Sequence, residues 1–163
     1  MGQKASCRRM TEGDLAFVTA LDREAFFDPW TEATWRHELT SPIASWYVVL
    51  GEDGTRQGYA GLWCVAGEGQ VLRVAVRPEA RCCGYGRLLT ETLVRRAWET
   101  GCTAVTLEVR EGNGAAQAVY RRCGFAGAGV RPHYYADNDE GALIMWLYRE
   151  KKEETCGRRI STF

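Results

Sequence analysis

Three short segments near the middle of the chain combine residue types that can carry chemistry. The first, residues 81–87, reads Arg-Cys-Cys-Gly-Tyr-Gly-Arg and lies between a β-branched run and a helical pattern. A strand, a glycine-rich loop and a helix N-terminus in this order form an anion site, because free N–H groups and the positive end of the helix dipole converge there. The pattern predicts a phosphate-binding loop, although a simple strand-to-helix turn can also require glycine.

The second segment holds a carboxylate, Glu108, inside a strand predicted over residues 104–109. Its neighbours Leu107 and Val109 are apolar, and side chains alternate between the two faces of a strand, so Glu108 points away from both. A carboxylate in a sheet that is covered on both faces is unusual, because charged side chains are rarely buried unless they have a partner or a function. We consider two interpretations: a proton acceptor in a reaction, or a solvated residue paired with Arg110.

The third segment is a helix predicted over residues 113–122. Asn113 occupies the N-cap position, and Tyr120 follows two helical turns later on the same face. The residues between them are mostly glycine and alanine, so a ligand or another part of the protein can lie close to the backbone. The tyrosine hydroxyl can donate a proton, and a core-edge aromatic ring whose hydroxyl reaches water is the alternative.

The elements around these segments predict an α/β (α+β) fold with a mixed central sheet of about seven strands and helices on both faces. Strands are predicted near residues 7–10, 46–50, 58–66, 70–76, 104–109, 125–131 and 142–148. Helices are predicted after N-caps at Thr11 and Thr31, from residue 84 to residue 101, and over the third segment. Residues 1–149 are expected to form a single domain, and the polar residues 150–163 a disordered C-terminal tail.

The composition excludes several classes of protein. Lysine plus arginine equals aspartate plus glutamate at 21 each, so no overall charge favours nucleic acid or a membrane surface. Seven cysteines are scattered without a C-x-x-C pair, which indicates neither a metal site nor a disulfide framework. No apolar run is long enough to span a bilayer or to act as a signal peptide. We expect a cytoplasmic protein, a monomer or weak homodimer, with no metal and no nucleic-acid or membrane partner.

The three segments, in this order and spacing, resemble the GNAT (GCN5-related N-acetyltransferase) superfamily from about residue 7 to residue 148. Particular sequences are similar to the bacterial ribosomal-protein-alanine acetyltransferases: D-P-W-T at 28–31, L-E-V-R at 107–110, N-G-A-A-Q-A-V-Y at 113–120, C-G-F at 123–125 and H-Y-Y at 133–135. The resemblance implies an acetyl-CoA-dependent N-acetyltransferase whose acceptor is the N-terminal α-amine of a protein, with a ribosomal protein that begins with alanine as the expected substrate.

The resemblance also assigns roles to residues. Glu108 becomes the general base and Tyr120 the general acid. The implied acetyl-CoA contacts are the strand residues Val74, Ala75 and Val76, the pyrophosphate loop Arg81, Cys82, Cys83, Gly84, Tyr85, Gly86 and Arg87, and Asn113. The implied acceptor-side residues are Trp30, Arg73, Tyr134 and Tyr135.

Elementary acid–base chemistry agrees with these roles. Attack on a thioester requires a neutral amine, and an α-amine has a pKa of ~8, so a carboxylate such as Glu108 is needed to accept its proton. The departing thiolate has a pKa of ~8.5 and tyrosine one of ~10, so Tyr120 can protonate it. Backbone N–H groups near residues 74–76 can hold the oxyanion that forms during transfer.

Some positions depart from the family pattern, and most of them lie toward the acceptor. Arg73, Gln70, His133 and Gly141 differ from the residues that relatives usually carry, which leaves a small-molecule amine (a polyamine, an amino acid or an aminoglycoside) as an alternative acceptor. A non-catalytic acetyl-CoA-binding protein is a third interpretation, disfavoured by Glu108 and Tyr120.

Two local features also have alternative interpretations. The adjacent thiols in the phosphate loop are interpreted as incidental, with a redox switch as the alternative. The acidic loop at residues 137–140 is interpreted as solvated, with attraction of a basic peptide as the alternative.

Overall fold

Glycine, proline and aspartate turns divide the chain into short strands and amphipathic helices. The computed structural model describes residues 4–151. In chain order its elements are β1 (Ser6–Arg9), α1 (Leu15–Ala25), α2 (Glu32–Thr40), β2 (Ala44–Leu50), β3 (Arg56–Val65), β4 (Glu68–Val76), α3 (Tyr85–Glu99), β5 (Ala104–Arg110), α4 (Gly114–Arg122), β6 (Ala126–Arg131) and β7 (Ala142–Tyr148). Most of the predicted tail lies outside the described residues. None of the helices described between residues 4 and 151 has the length and apolarity needed to cross a bilayer.

The strands form one mixed sheet in the order β1-β2-β3-β4-β5-β7-β6. Every neighbouring pair is antiparallel except β4 and β5, which run parallel and are connected through α3. The predicted mixed seven-stranded sheet with helices on both faces is therefore confirmed.

Two apolar cores cover the two faces of the sheet. On one face, Leu89 and Leu93 of α3 are fully buried against the sheet. On the other, Trp35 of α2 is fully buried, with its ring centroid 4.7 Å from that of Trp46. Complete burial of one such apolar side chain contributes about 1.5–3 kcal/mol. Gly61 of β3 must be glycine, because a Cβ there would lie 2.2 Å from the Trp46 ring.

The two N-terminal helices begin differently. At the predicted cap Thr11, a short 3₁₀ turn over Glu12–Asp14 precedes α1, and the Thr11 N–H donates to the Asp14 carboxylate at 2.8 Å. At α2 the predicted cap is confirmed, because Thr31 Oγ1 accepts from the Thr34 N–H at 3.2 Å.

The two parallel strands in the middle of the sheet stay together for only a short distance. β4 and β5 pair at three positions, the last being Gln70 with Thr106. Just beyond this point β4 contains a bulge. The consecutive β3 residues Gly61 and Leu62 pair with Arg73 and Val71, so Leu72 between them has no partner in β3. A bulge of this kind bends a strand and increases its twist. The two strands therefore part, and the gap between them is the centre of the candidate site.

Candidate active site

The β4 side of the gap carries unpaired backbone. β4 remains paired with β3 as far as Val76, which lies opposite Gly58, but its pairing with β5 ends at Gln70. Backbone groups over residues 72–76 that point toward β5 therefore meet no strand. This edge includes Val74, Ala75 and Val76, the three strand residues predicted to contact acetyl-CoA. An extended ligand that carries amide groups can pair with such an edge in the way that an added strand does.

The predicted phosphate loop lies where α3 begins. Gly84 has a φ of 85° and Cys82 a φ of 63°, so the backbone turns sharply before the helix. After Arg81, the next backbone N–H that donates to a backbone carbonyl is that of Leu88, which donates to the Gly84 carbonyl oxygen at 3.0 Å. In the part of the chain that the structure describes, the N–H groups of residues 82–87 have no backbone acceptor. A Cβ added at Gly84 or Gly86 would meet open space. These free donors at a helix N-terminus fit a pyrophosphate group.

Side chains contribute little to this loop. Cys82 and Cys83 are exposed and do not form a disulfide. Arg87 donates from Nε to Glu91 Oε1 at 2.8 Å, so its charge is partly engaged within α3. Apart from the exposed Arg81, the groups that this loop offers to an anion are therefore mainly those of its main chain.

Glu108 lies on β5 beside the gap. Its side chain is 25% exposed, while its neighbours Leu107 and Val109 are buried in the core beneath α3. Its carboxylate Oε1 lies 3.4 Å from Arg131 Nε, across β7. The alternative pairing with Arg110 is wrong. The carboxylate is thus half-buried and close to a cation that sequence reasoning missed.

Two tyrosines predicted to line the acceptor side stand next to this carboxylate. A hydrogen bond to Glu108, together with burial, raises the pKa of Tyr134 to about 12. The rings of Tyr134 and Tyr135 are nearly perpendicular, with centroids 5.1 Å apart. The Arg110 guanidinium lies over the Tyr135 ring at 3.9 Å. Arg110 therefore fixes the position of the loop that presents both tyrosines.

The acidic part of that loop is internally paired. Arg110 contacts Asp137 at 2.9 Å and Glu140 at 3.3 Å. Glu140 also accepts from the Gly112 N–H at 2.7 Å, and His133 contacts Asp139 at 2.6 Å. Each carboxylate has a partner, but Arg110 is shared by two of them, so the pairing organises the loop without cancelling its negative charge, and attraction of a basic peptide stays a prediction. The loop is held in shape by its own charges.

Tyr120 projects from α4 toward the same region. Burial, followed by the influence of Tyr135 and Cys123, raises its pKa to about 12. Its ring packs edge-on against Phe125 with a centroid distance of 6.1 Å. Asn113 caps this helix, since its side-chain oxygen accepts from the Ala116 N–H at 3.1 Å. The cap leaves the other side-chain atoms of Asn113 free for a ligand.

Arg73 and Trp30, both predicted on the acceptor side, are placed differently from the tyrosines. The Arg73 side chain is only 5% exposed and pairs with Asp22 at 2.9 Å. Its charge is therefore not directly available to an acceptor, which departs from the direct contact expected from the sequence. Trp30 packs on Trp35, with ring centroids 4.8 Å apart.

Arg131 and the bulge at Leu72 are the parts of the site that the sequence analysis missed. Arg131 reaches Glu108 only because β6 lies next to β7 and β7 next to β5. The bulge interrupts a run of residues that reads as an ordinary strand. Across residues 4–151, no cluster of three or more histidine, cysteine, aspartate or glutamate side chains is arranged to hold a metal ion.

The family model for the acetyltransferase (GNAT) family matches residues 15–125, which is more than half of the chain. The chain belongs to the GNAT acetyltransferase family. It is an N-acetyltransferase by this membership and by the names of its relatives.

Individual relatives and solved structures agree with this membership. A Bacillus subtilis protein, provisionally named a ribosomal protein bS18-alanine N-acetyltransferase, is 36% identical over 90% of this GNAT chain and 97% of its own length. The Escherichia coli K12 enzyme of that name is 32% identical over 82% of this chain and 90% of its own. The crystal structure of the Escherichia coli ribosomal-protein-S18-alanine N-acetyltransferase superposes with a TM-score of 0.80 at 28% identity, covering 93% of this chain and 97% of the other.

A more distant GNAT structure shows the fold alone. It is a spermidine N-acetyltransferase from Vibrio cholerae in complex with CoA and spermine, with a TM-score of 0.79 at 18% identity, covering 89% of this chain and 95% of the other.

Proposed function

We propose that this enzyme transfers an acetyl group from acetyl-CoA to the N-terminal α-amine of a protein, and that the acceptor is a ribosomal protein beginning with alanine. The observation that carries the proposal is the half-buried Glu108 at the gap between β4 and β5, with the phosphate loop at the start of α3 nearby in the fold. The names of the relatives support the choice of acceptor.

The main chain would provide most of the contacts with acetyl-CoA. The free N–H groups of residues 82–87 suit the pyrophosphate, and the unpaired edge over residues 72–76 suits the amide-bearing arm. Arg81 would add charge near the pyrophosphate, and Asn113 and Tyr85 lie at the starts of the helices that border it. Acetyl-CoA supplies the activated acetyl group. No metal ion enters this scheme.

Glu108 would act as the proton acceptor. The acceptor α-amine has a pKa of ~8 and is mostly protonated at neutral pH, so a carboxylate must take up its proton before attack. An α-ammonium that enters the slot meets Glu108 beside Tyr134. The arriving cation would compete with Arg131, whose side chain is 59% exposed and free to move aside.

Tyr120 would protonate the leaving thiolate. Burial keeps its hydroxyl protonated far above neutral pH, because its pKa is raised to about 12. A group that stays protonated at neutral pH can donate as negative charge develops on sulfur. Tyr120 packs against the core beneath α3, which is the face on which the phosphate loop begins, and this supports a role toward the leaving thiol.

A small-molecule acceptor has less support than the sequence suggested. Of the four departures that favour that alternative, Arg73 is buried in an ion pair with Asp22, whereas Gln70, His133 and Gly141 are not affected by this contact. In addition, Arg73 and a polyamine are both positively charged, so direct recognition of a polyamine by Arg73 is unfavourable. We place the reaction in the cytoplasm, with the enzyme acting as a monomer or weak homodimer.

Release of the CoA thiol by the purified enzyme tests the proposal directly. The acceptors are a peptide with a free N-terminal alanine, the same peptide with its N-terminus blocked, spermidine and a free amino acid. Turnover confined to the free peptide, with acetyl found on its α-amine by mass spectrometry, supports the proposal. Turnover only on small amines overturns the choice of acceptor. Binding of acetyl-CoA without turnover on any amine overturns the enzymatic role.

A further inference from the structure

The side chain of Arg73 is buried inside the N-terminal half of the protein, where it contacts a loop of that half. Its guanidinium donates to Asp22 Oδ1 at 2.9 Å and to the backbone carbonyl of Asp28 at 2.8 Å. It also lies over two aromatic rings, 4.3 Å from the centroid of Phe26 and 4.5 Å from that of Trp30. Every one of these partners except Asp22 belongs to residues 26–30, the loop between α1 and α2. Arg73 therefore fastens that loop to β4.

Asp22 completes the attachment from the other side. It is fully buried at the C-terminal end of α1 and accepts from the Trp30 N–H at 2.7 Å. It also accepts from the hydroxyl of Tyr59 on β3 and from Arg73. A buried carboxylate needs such partners, because an unpaired charge in the interior is costly. One buried cluster thus joins α1, the loop, β3 and β4.

The loop that Arg73 holds lies along the gap. Arg73 lies opposite Gly61, over which Trp46 of the α1 and α2 core is packed, so its side chain stands on that face of the sheet. Glu108 points away from Leu107 and Val109, which belong to the core beneath α3, so it stands on the same face. The two side chains are carried by the two strands that part. The loop at 26–30 therefore borders the gap on the β4 side, opposite Tyr134 on the β7 side.

The contacts use properties that only arginine has. The planar guanidinium donates in two directions while both of its faces remain available to aromatic rings. A lysine at this position would keep the charge beside Asp22 but could not make the stacked contacts and the second donation together. The attachment of the loop at residues 26–30 thus depends on one specific side chain, whereas the proposed anion binding at residues 82–87 depends on backbone N–H groups.

We propose that Arg73 is a positioning residue that fixes the loop at residues 26–30 as the β4-side wall of the acceptor slot, and so determines which acceptors fit. The proposal rests on the proposed function in one respect: it takes the face of the gap that carries Arg73 and Glu108 as the side on which the acceptor binds. Arg73 also immediately precedes Val74, on the edge assigned to acetyl-CoA, but its side chain acts on the acceptor face.

The experiment compares Arg73→Lys with the wild-type enzyme in three measurements. We expect KM for the acceptor peptide to rise by about tenfold or more, which corresponds to about 1.4 kcal/mol of lost acceptor binding. KM for acetyl-CoA should stay within about twofold of the wild-type value. Hydrogen exchange over residues 26–30 should become at least about tenfold faster. Arg8→Lys is the control, because Arg8 also pairs with a buried aspartate, Asp14 at 2.8 Å, but lies on the edge strand β1 away from the gap and is more exposed than Arg73.

A double variant separates positioning from stability. Arg73→Met combined with Asp22→Asn removes both charges. The amide oxygen can still accept from the Trp30 N–H, its NH2 can donate to the Tyr59 hydroxyl, and replacement of a buried ion pair by less polar groups is often tolerated. If its melting temperature is near that of the wild type while acceptor KM stays raised, the positioning role holds. An unchanged acceptor KM in Arg73→Lys, an equal rise in both KM values, or unchanged exchange in the loop would overturn it.

The proposed function can fail without affecting this test. If the wild-type enzyme acetylates a small amine and not the peptide, the same KM comparison is made with that amine. The exchange measurement needs no acceptor at all. Faster exchange in Arg73→Lys together with a raised KM for that amine would still support the positioning role.

Discussion

The two halves of the site, on opposite faces of the sheet at the gap, use different parts of the polypeptide. The half assigned to acetyl-CoA offers main-chain groups, namely the edge at residues 72–76 and the N–H groups of residues 82–87. The acceptor half offers side chains that hold one another, such as Glu108 with Arg131 and Arg110 with Tyr135. Main-chain contacts are insensitive to most substitutions, whereas side-chain contacts change with each one. Because the two halves use different groups, substitutions can change which acceptor binds while the contacts proposed for acetyl-CoA are kept.

The largest expected effect comes from the acceptor half. Glu108→Gln keeps the size of the side chain but cannot accept a proton, so kcat/KM for the peptide should fall by about 10³-fold. KM for acetyl-CoA should be nearly unchanged. The release of CoA thiol measures both constants. Glu111→Gln, on an exposed residue just beyond β5, is the control and should stay within about twofold. Near-normal turnover by Glu108→Gln would show that another group takes the proton.

Tyr120→Phe should have the next largest effect, a loss of about 10²-fold in kcat. Burial raises the pKa of Tyr120 to about 12, so its hydroxyl stays protonated below that pH. The stability that depends on the protonated hydroxyl is lost only as the pH rises through about 12. The wild-type rate should therefore rise as the amine loses its proton near pH ~8 and then stay level to about pH 10. A pH profile of kcat/KM measures this. Tyr148→Phe is the exposed control, and a fall in the wild-type profile well below pH 10 would argue against Tyr120 as the acid.

Gly84→Ala tests the main-chain half. An alanine at a φ of 85° is strained by about 1–2 kcal/mol, which corresponds to roughly a 5- to 30-fold change in an equilibrium. The free loop would relax to relieve this strain and binding would have to restore the conformation, so we expect KM for acetyl-CoA to rise within that range while KM for the peptide is unchanged. Gly54→Ala is matched closely, because Gly54 has a φ of 79° and an equally open surrounding but lies in the β2–β3 turn. If both variants alter KM for acetyl-CoA equally, the loop has no special role.

The smallest effect is expected from Cys82→Ser combined with Cys83→Ser. Both thiols are exposed, and the backbone of the loop is proposed to hold the anion, so KM for acetyl-CoA should stay within about twofold. The same measurement after mild oxidation tests the alternative of a redox switch. A change greater than about tenfold in either case would mean that the side chains of this loop matter, and the comparison between the halves would be weakened.

Much of the fold was predictable because its signals are local. Thr31 as the cap of α2 and the alternation around Glu108 are both read within a few residues. The same holds for the turn at the start of α3, where Gly84 has a positive φ; phosphate binding there stays a prediction. Wherever the backbone conformation of a segment is decided by its own sequence, the predicted element is close to the observed one.

The acceptor half was less predictable because its contacts join distant parts of the chain. Arg73 was expected to meet a substrate, but its partner Asp22 is 51 residues away and becomes visible only when α1 is packed on the sheet. Arg131 reaches Glu108 across an intervening strand, and Arg110 prefers Asp137. Which opposite charges pair depends on strand order and loop shape, and neither is encoded within a short window.

The parting of β4 and β5 also leaves a strand edge that a bound ligand can protect. An unpaired strand edge is a site at which other chains can add and aggregate, and here the edge lies within the sheet and not at its border. A ligand that pairs with it would complete the sheet and add about 2.7 kcal/mol of stability at a concentration 100 times its Kd. On the proposed function, the supply of acetyl-CoA would thus influence how much of this enzyme persists as well as how fast it works.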